Sequence, residues 1–337
     1  MEIKSLLFDL ANLDSIGNIT DAQTKAYEIL SQYCETKITN QNNLIGFLKG
    51  NSDYTLLLDA HIDQVGFIVT NVDDDGFLTV SCAGGIDIRS LPSRTVTVHG
   101  KEKISAVFCA TPPHLSSGEV EYGDISSIKL DTALGAKAKD IISVGDYVTF
   151  SGESFPMCEN IVCGRSFDDR AGVTCVLETA RRLSDKELPV NVVFSLSTGE
   201  ELGLRGIRTT AFETEPQEAI AIDVTFGDGL GISGDESCKL GDGAMIGISP
   251  TLDKNLSKKL IATAKANGIP HDLEIMSGAT GTNADMISIS KTGVKTATVS
   301  IPLRNMHTEV ETLNLCDLNA VCDLLEKYIL SGGVLND

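Results

Sequence analysis

The sequence predicts an α/β fold in which a mixed, mostly parallel sheet is covered by helices and a small all-β barrel domain is inserted. Two observations support this fold class. Short apolar runs alternate with stretches of helical periodicity in residues 1–66 and 161–337, as expected when parallel strands alternate with helices. Between them, residues 67–160 hold short β-branched runs separated by turn residues such as Asp75-Gly76, which is typical of a small barrel.

The first part of the chain is predicted to contain two helices and a strand. Apolar residues recur at helical spacing in stretches 6–13 and 22–33. The run YTLLLDAH (54–61) is apolar almost to its end. A continuous apolar run of this length predicts a strand that is buried on both faces, as in the centre of a parallel sheet.

After the barrel-like segment the alternation resumes. Helical periodicity is found in residues 173–183, 256–264 and 318–329, and buried strands are predicted at 191–197, 219–225 and 296–302. We therefore predict one discontinuous catalytic domain, residues 1–66 and 161–337, which is interrupted by a barrel domain at 67–160.

The charge of the chain is strongly negative. It contains 47 acidic and 27 basic residues, a formal net charge of −20. Surfaces that bind phosphate need positive charge, so a nucleic-acid partner is not expected. Cationic ligands are favoured, and the N-terminal ammonium of a peptide is one of them.

Composition also predicts a cytoplasmic location. Acidic residues interrupt the N-terminal apolar stretch at Glu2, Asp9 and Asp14, unlike the core of a signal peptide. The chain has no uninterrupted apolar run of the length that crosses a membrane. Its nine cysteines form no C-x-x-C pair, and Cys175 and Cys322 fall in apolar helical patterns, as reduced thiols do.

Side chains that can bind metal follow the predicted strands. Each has an ordinary structural explanation when taken alone, because a histidine after a strand or an acidic pair at a helix start is common. Together they stand at the carboxyl ends of strands, or just before a helix, where sites form in α/β sheets. The candidates are His61, Asp63, Asp168, Glu200, Glu201, Asp223 and His307.

The residue types in this set indicate a centre with two divalent cations. Two histidines and three carboxylates without a thiolate suit zinc, and also cobalt or manganese. A carboxylate can bridge two such cations. One acid of the pair Glu200 and Glu201 is then free to act as general base. Asp63, two residues after His61, can accept the second imidazole N–H and orient the ring.

The motifs resemble the self-compartmentalising, tetrahedral dimetal aminopeptidases, a family known as glutamyl aminopeptidases or endoglucanase-like metallopeptidases. The resemblance covers nearly the whole chain, including the barrel segment. It is carried by DAHIDQVG (59–66), SFDDRAG (166–172), STGEELGLRG (197–206), AIDVT (221–225) and PLRNMHTEVE (302–311).

The resemblance implies a role for each site residue. Asp168 would be the bridging ligand, His61 and Asp223 would complete one metal site, and Glu201 and His307 the other. Glu200 would be the general base and Asp63 the residue that orients His61. The resemblance also implies a co-catalytic zinc-peptidase-like domain, peptide substrates with a free N-terminus, and self-assembly to a dimer through the barrel or to a dodecamer.

Two segments depart from the family pattern. Asn283 in GTNAD (281–285) replaces an acid, and Asn305-Met306 stands where an aromatic residue commonly follows the arginine. Neither position is a metal ligand, so these changes bear on substrate preference and assembly rather than on activity.

Three other functions compete with an aminopeptidase. An N-acyl amino acid deacylase, or related amidohydrolase, could use the same metals and base. A glycosidase would need two carboxylates beside a groove that is usually rich in aromatic residues, but the chain has no Trp and only 5% aromatic residues. An inactive assembly protein would have no need to keep all five ligands and the base.

Overall fold

In the computed structural model, which describes residues 2–115, 123–229, 231–232 and 237–331, a large mixed sheet and a closed barrel contain most of the strands. The helices are α1 (Ile3–Ala11), α2 (Asp21–Leu30), α3 (Ala138–Ile141), α4 (Phe167–Leu183), α5 (Gly206–Thr214), α6 (Lys254–Asn267), α7 (Ala284–Ser288) and α8 (Leu315–Leu330). The first eleven strands are β1 (Ser15–Ile16), β2 (Ile19–Thr20), β3 (Glu35–Ile38), β4 (Leu44–Leu48), β5 (Thr55–His61), β6 (Gly66–Val72), β7 (Leu78–Ala83), β8 (Thr95–His99), β9 (Lys103–Phe108), β10 (Leu130–Asp131) and β11 (Tyr147–Phe150). The remaining strands are β12 (Phe155–Pro156), β13 (Ile161–Gly164), β14 (Asn191–Ser197), β15 (Glu218–Phe226), β16 (Ala244–Ile248), β17 (His271–Ile275), β18 (Lys295–Leu303) and β19 (Glu311–Asn314).

The large sheet has eight strands in the order β17-β16-β18-β15-β5-β14-β4-β3. The central strands β18, β15, β5 and β14 are parallel to one another. Antiparallel pairs occur only towards the edges, where β16 meets β18, β14 meets β4 and β4 meets β3. Parallel neighbours end at the same edge of the sheet, so the carboxyl ends of β5, β14, β15 and β18 lie side by side. The predicted fold class is confirmed.

Helices cover both faces of this sheet, because each helix has apolar residues at helical spacing that form a face to bury against the strands. On one face α1, α2, α4, α6 and α8 bury apolar side chains against the sheet in one large core cluster. On the other face α5 and α7 pack over small residues such as Ala219 and Ala221. The sheet is therefore shielded from water on both sides, which is what continuous apolar strands require.

Helix α6 shows how local sequence sets the bounds of an element. Asp253 caps its start, because the carboxylate accepts hydrogen bonds from the backbone N–H groups of Asn255 and Leu256. Its end is set by Gly268, which has a φ of 65°. Glycine takes this left-handed conformation without the steric cost that a side chain brings.

The six barrel strands close in the order β10-β7-β6-β11-β8-β9, with β10 also paired to β9. The barrel has its own apolar core, separate from those of the large sheet. At its centre the ring of Phe67 meets Phe108 and Phe150 edge to face, at centroid distances of 5.0 and 5.5 Å. Strand β12 pairs instead with β13 in a small sheet that also contains β19. The exact domain boundaries and a role of the barrel in dimerisation stay predictions.

Among the described residues, no helix is both long and apolar enough to cross a membrane.

Candidate functional site

The carboxyl edge of the large sheet brings the predicted site residues together. His61 is the last residue of β5, Asp223 lies near the end of β15, and Glu200 and Glu201 lie in the turn after β14. His307 follows β18, and Asp168 lies in the first turn of α4. Because β14 and β15 are the two neighbours of β5, these turns project over the same point.

Asp168 lies between the two histidines. Its Oδ1 is 3.0 Å from Nε2 of His61, and its Oδ2 is 3.1 Å from Nε2 of His307. The side chain is nearly buried, with 6% of its surface exposed. Its two oxygens therefore face different histidines, which places Asp168 at the centre of the cluster.

The remaining acids surround these two histidines. Nε2 of His61 is 3.9 Å from Oδ1 of Asp223 and 4.0 Å from Oε2 of Glu200. Nε2 of His307 is 3.3 Å from Oε1 of Glu201. The side chains therefore form one cluster, with Asp223 and Glu200 on the His61 side and Glu201 on the His307 side.

Three groups in this cluster have ligand atoms within 4.8 Å of one another. They are His61 with Asp169 and Asp223, His61 with Glu200 and Glu201, and Asp168 with Glu201 and His307. Asp169 was not among the sequence candidates. It is fully buried, and its Oδ1 accepts a hydrogen bond from the backbone N–H of Gly172.

Asp63 lies beside His61, but its contacts differ from the expected ones. The backbone carbonyl oxygen of Asp63 is 3.2 Å from Nδ1 of His61, whereas its carboxylate Oδ1 is 3.6 Å away. The carboxylate instead accepts hydrogen bonds from the backbone N–H groups of Glu200 and Glu201, at 3.2 and 3.3 Å. Asp63 thus positions the turn that carries the acidic pair as well as contacting the histidine.

Glu311 is a site residue that sequence reasoning missed. Its carboxylate accepts hydrogen bonds from the backbone N–H groups of Asp168, at 3.1 Å, and His307, at 2.8 Å. Only 2% of Glu311 is exposed. From inside the protein, its carboxylate therefore fixes the backbone at Asp168 and at His307. The sequence signal was an acid at the end of the PLRNMHTEVE motif, four residues after His307.

Asn283, which departs from the family pattern, lies below the cluster and not in it. Its side-chain amide donates to Oδ2 of Asp59 and to Oγ of Ser197, both at 2.8 Å. Burial raises the pKa of Asp59 to about 6, against the effect of these hydrogen bonds. Asp59 and Ser197 belong to the neighbouring strands β5 and β14, so the amide connects the two strands that carry His61 and the acidic pair.

The second departure is also outside the cluster. Asn305 has a φ of 57° and its side-chain amide donates to the carbonyl of Val310. Met306 is partly buried against the core of the large sheet. These residues shape the loop that leads to His307.

The cluster is rich in acids that are costly to ionise. Burial raises the pKa of Glu200 to about 9, that of Asp223 to about 8 and that of Glu311 to about 8. At Asp168 burial also favours the neutral acid, but the hydrogen bonds from the two histidines outweigh it and hold the pKa well below its usual range. At His307 burial is likewise outweighed, by Asp168 and Glu201, and its pKa rises to about 11.

This electrostatic arrangement fits divalent cations. Several carboxylates buried within a few ångströms repel one another, and burial alone would leave some of them protonated. A divalent cation offsets both effects, since metal binding requires carboxylates in their ionised form and histidine in its neutral form. The donor set, imidazole nitrogen and carboxylate oxygen, is one that zinc and similar ions accept. These residues could hold a metal.

Comparison with known proteins identifies the family. The family described as M42 glutamyl aminopeptidase matches residues 42–324. A lysyl aminopeptidase of Pyrococcus furiosus is 31% identical over 303 residues, which are 88% of this chain and 86% of that protein. Among solved structures, an aminopeptidase from the archaeon Desulfurococcus kamchatkensis superposes with a TM-score of 0.91 at 29% identity, over 98% of this chain and 95% of that one.

A further solved structure is the TET1 peptidase of Pyrococcus horikoshii, which can assemble into a tetrahedron or a large octahedral shell. It superposes with a TM-score of 0.87 at 29% identity, over 98% of this chain and 99% of that one. The predicted resemblance is confirmed. From the family match and these relatives, the chain is a hydrolase that belongs to the M42 glutamyl aminopeptidase family.

Proposed function

We propose that this protein is a metal-dependent aminopeptidase that removes the N-terminal residue from peptides. The observation that carries the proposal is the position of Asp168, whose two carboxylate oxygens each lie about one hydrogen-bond length from a different histidine. Family membership supplies the reaction class, and this arrangement supports a site for two cations.

The ligand assignment is the one that the family resemblance implies, and the distances support it. His61 and Asp223 would hold one divalent cation, Glu201 and His307 the other, and Asp168 would bridge them. The all-nitrogen-and-oxygen donor set favours zinc, with cobalt or manganese as alternatives. When bound, two such cations polarise the scissile carbonyl and make water a stronger acid.

Glu200 is proposed as the general base. Its carboxylate faces Nε2 of His61 at 4.0 Å, and the side chain is 10% exposed. Its backbone N–H is held by Asp63, so the turn keeps the carboxylate over the site. From there Glu200 can take a proton from the attacking water and deliver it to the nitrogen of the cleaved amide bond.

The negative cluster also supports recognition of a free amine. The N-terminal ammonium of a peptide carries a positive charge, which buried carboxylates attract strongly at short range. An N-acyl group removes that charge. We therefore propose substrates with a free N-terminus, rather than the acyl-amino acids that a deacylase would hydrolyse.

Metal analysis and a pair of matched substrates test the proposal. We expect the purified protein to contain up to two equivalents of divalent metal and to lose activity when a chelator removes it. A peptide with a free N-terminus should be hydrolysed, and the same peptide with an acetylated N-terminus should be inert. Cleavage of both peptides at similar rates would contradict an aminopeptidase, and preferential cleavage of acyl-amino acids would indicate a deacylase.

We also propose that the chain self-associates, with a dimer formed through the barrel and a tetrahedral dodecamer as the larger assembly. The TET1 peptidase, which is similar over its whole length, forms such closed shells. The barrel exposes apolar side chains, among them Val107 at 42% and Val144 at 67%, that an interface could cover. Light scattering that shows a monomer at micromolar concentration would contradict the proposal.

A further inference from the structure

A cavity lined in part by the end of β15, just after Asp223, has a glutamate among its lining residues. The cavity has a volume of about 560 Å³ and is lined by Thr225, Phe226, Cys238, Glu274, Met276 and Thr280, among others. Thr225 lies two residues after Asp223 on β15. Since alternate residues of a strand point to the same face, the cavity and Asp223 share one face of the sheet.

Hydrogen bonds connect Glu274 to this face. Ser300 on β18 is directly opposite Asp223 in the parallel pair β15–β18. The hydroxyl of Ser300 donates to Oε2 of Glu274 at 2.6 Å. Ser300 therefore connects the two acids, as the register partner of Asp223 and the hydrogen-bond donor to Glu274.

Glu274 is the only acidic or basic side chain among the described residues that line the cavity. Glu274, Asp272 and Asp242 all act on the thiol of Cys238, whose pKa rises to about 11, mainly through burial. The nearby Arg304 is already paired with Asp228, at 2.7 Å. Glu274 is therefore a partly buried acid, and the described lining of its cavity offers it no cationic side chain.

We infer that this cavity receives the side chain of the substrate's N-terminal residue and that Glu274 selects lysine and arginine there. The inference rests on the proposed aminopeptidase function. The four-carbon stem of lysine can lie along Met276 and Phe226, and its ammonium can reach the Glu274 carboxylate. An acidic side chain would meet Glu274 as a like charge, and a neutral one would give the partly desolvated carboxylate no opposite charge beyond its hydrogen bond from Ser300.

The test compares N-terminal residues of equal stem length. We would measure kcat/KM for the p-nitroanilides of lysine, arginine, norleucine and glutamate. Norleucine has the four-carbon stem of lysine without the charge. We expect lysine and arginine to exceed norleucine by about tenfold or more, as a charge-assisted hydrogen bond provides, and glutamate to be the poorest substrate.

Two variants make the comparison specific to Glu274. In Glu274→Gln the lysine-to-norleucine ratio should fall by about tenfold or more, to a value near one. The matched control is Glu28→Gln, the same exchange at an exposed position on α2, which is not part of the cavity lining and should change the ratio by less than about threefold.

Each outcome decides a different claim. A wild-type ratio below about threefold, or an unchanged ratio in Glu274→Gln, would overturn the selection of basic residues while leaving the aminopeptidase intact. Hydrolysis of none of the four substrates by the metal-loaded protein would overturn the proposed function itself. The wild-type ratio needs no variant, so it decides the inference even if Glu274→Gln does not fold.

Discussion

Exchanging each acid of the pair Glu200 and Glu201 for glutamine separates proton transfer from metal binding. Glutamine has nearly the shape of glutamate, and the backbone hydrogen bonds from both residues to Asp63 do not involve the altered atoms. In Glu200→Gln only the proton acceptor is lost. General-base catalysis contributes about 10²–10⁴-fold to rate, so kcat should fall by that order, about 3–5 kcal/mol of transition-state stabilisation.

Glu201→Gln should behave differently because of where Glu201 lies. Its Oε1 is 3.3 Å from Nε2 of His307, and the two residues share a group of candidate ligands with Asp168. An amide is a weaker, uncharged ligand. Even changes to residues that only support metal ligands weaken metal affinity by about 10–100-fold, so the loss here should be at least tenfold, and excess metal should restore part of the activity.

The assay measures bound metal and kcat on the same preparations. Metal content is determined for the wild type and both variants after dialysis, and kcat is then followed over a series of zinc, cobalt or manganese concentrations. We expect Glu200→Gln to keep its metal and remain slow at every concentration. If Glu200→Gln loses metal while Glu201→Gln keeps it, the roles of the two residues are reversed and the reasoning from their distances is refuted.

Three predictions concern stability and can be measured by urea unfolding. In Glu178→Gln the ion pairs to Arg181 and Arg182 are lost, at a cost of about 1–2 kcal/mol. Burial raises the pKa of Glu178, but the arginines outweigh it and lower the pKa from 4.5. The cost should therefore be complete above pH 4.5 and disappear as the pH falls through the lowered folded-state pKa. Phe67→Ala should cost about 3–5 kcal/mol, because it empties the centre of the barrel core, and a loss below about 1 kcal/mol would contradict the packing described. Asn283→Ala should cost about 2 kcal/mol, because Asp59 and Ser197 lose a buried donor, and unchanged stability would show that this network is dispensable.

The predicted elements agree well with the structure where apolar periodicity is strong. The run 54–61 is observed as β5, Thr55–His61, and residues 256–264 lie within α6, Lys254–Asn267. Such predictions succeed because the spacing of the apolar residues indicates both the type of element and which of its faces is buried. The ends of α6 required the capping contacts of Asp253 and Gly268, which follow from residue type.

By itself, the sequence determined the fold class, the insertion of a barrel and the set of side chains that converge at one edge of the sheet. These follow from local periodicity and from the rule that parallel strands end together. Only the tertiary structure decided the contacts in and around the site. Glu311 supports Asp168 across 143 residues of chain, Asp63 holds the acidic turn, and Ser300 donates to Glu274. Such contacts join residues that are remote in sequence. Their distances depend on the register of the strands and the packing of the turns, which cannot be predicted from local sequence patterns.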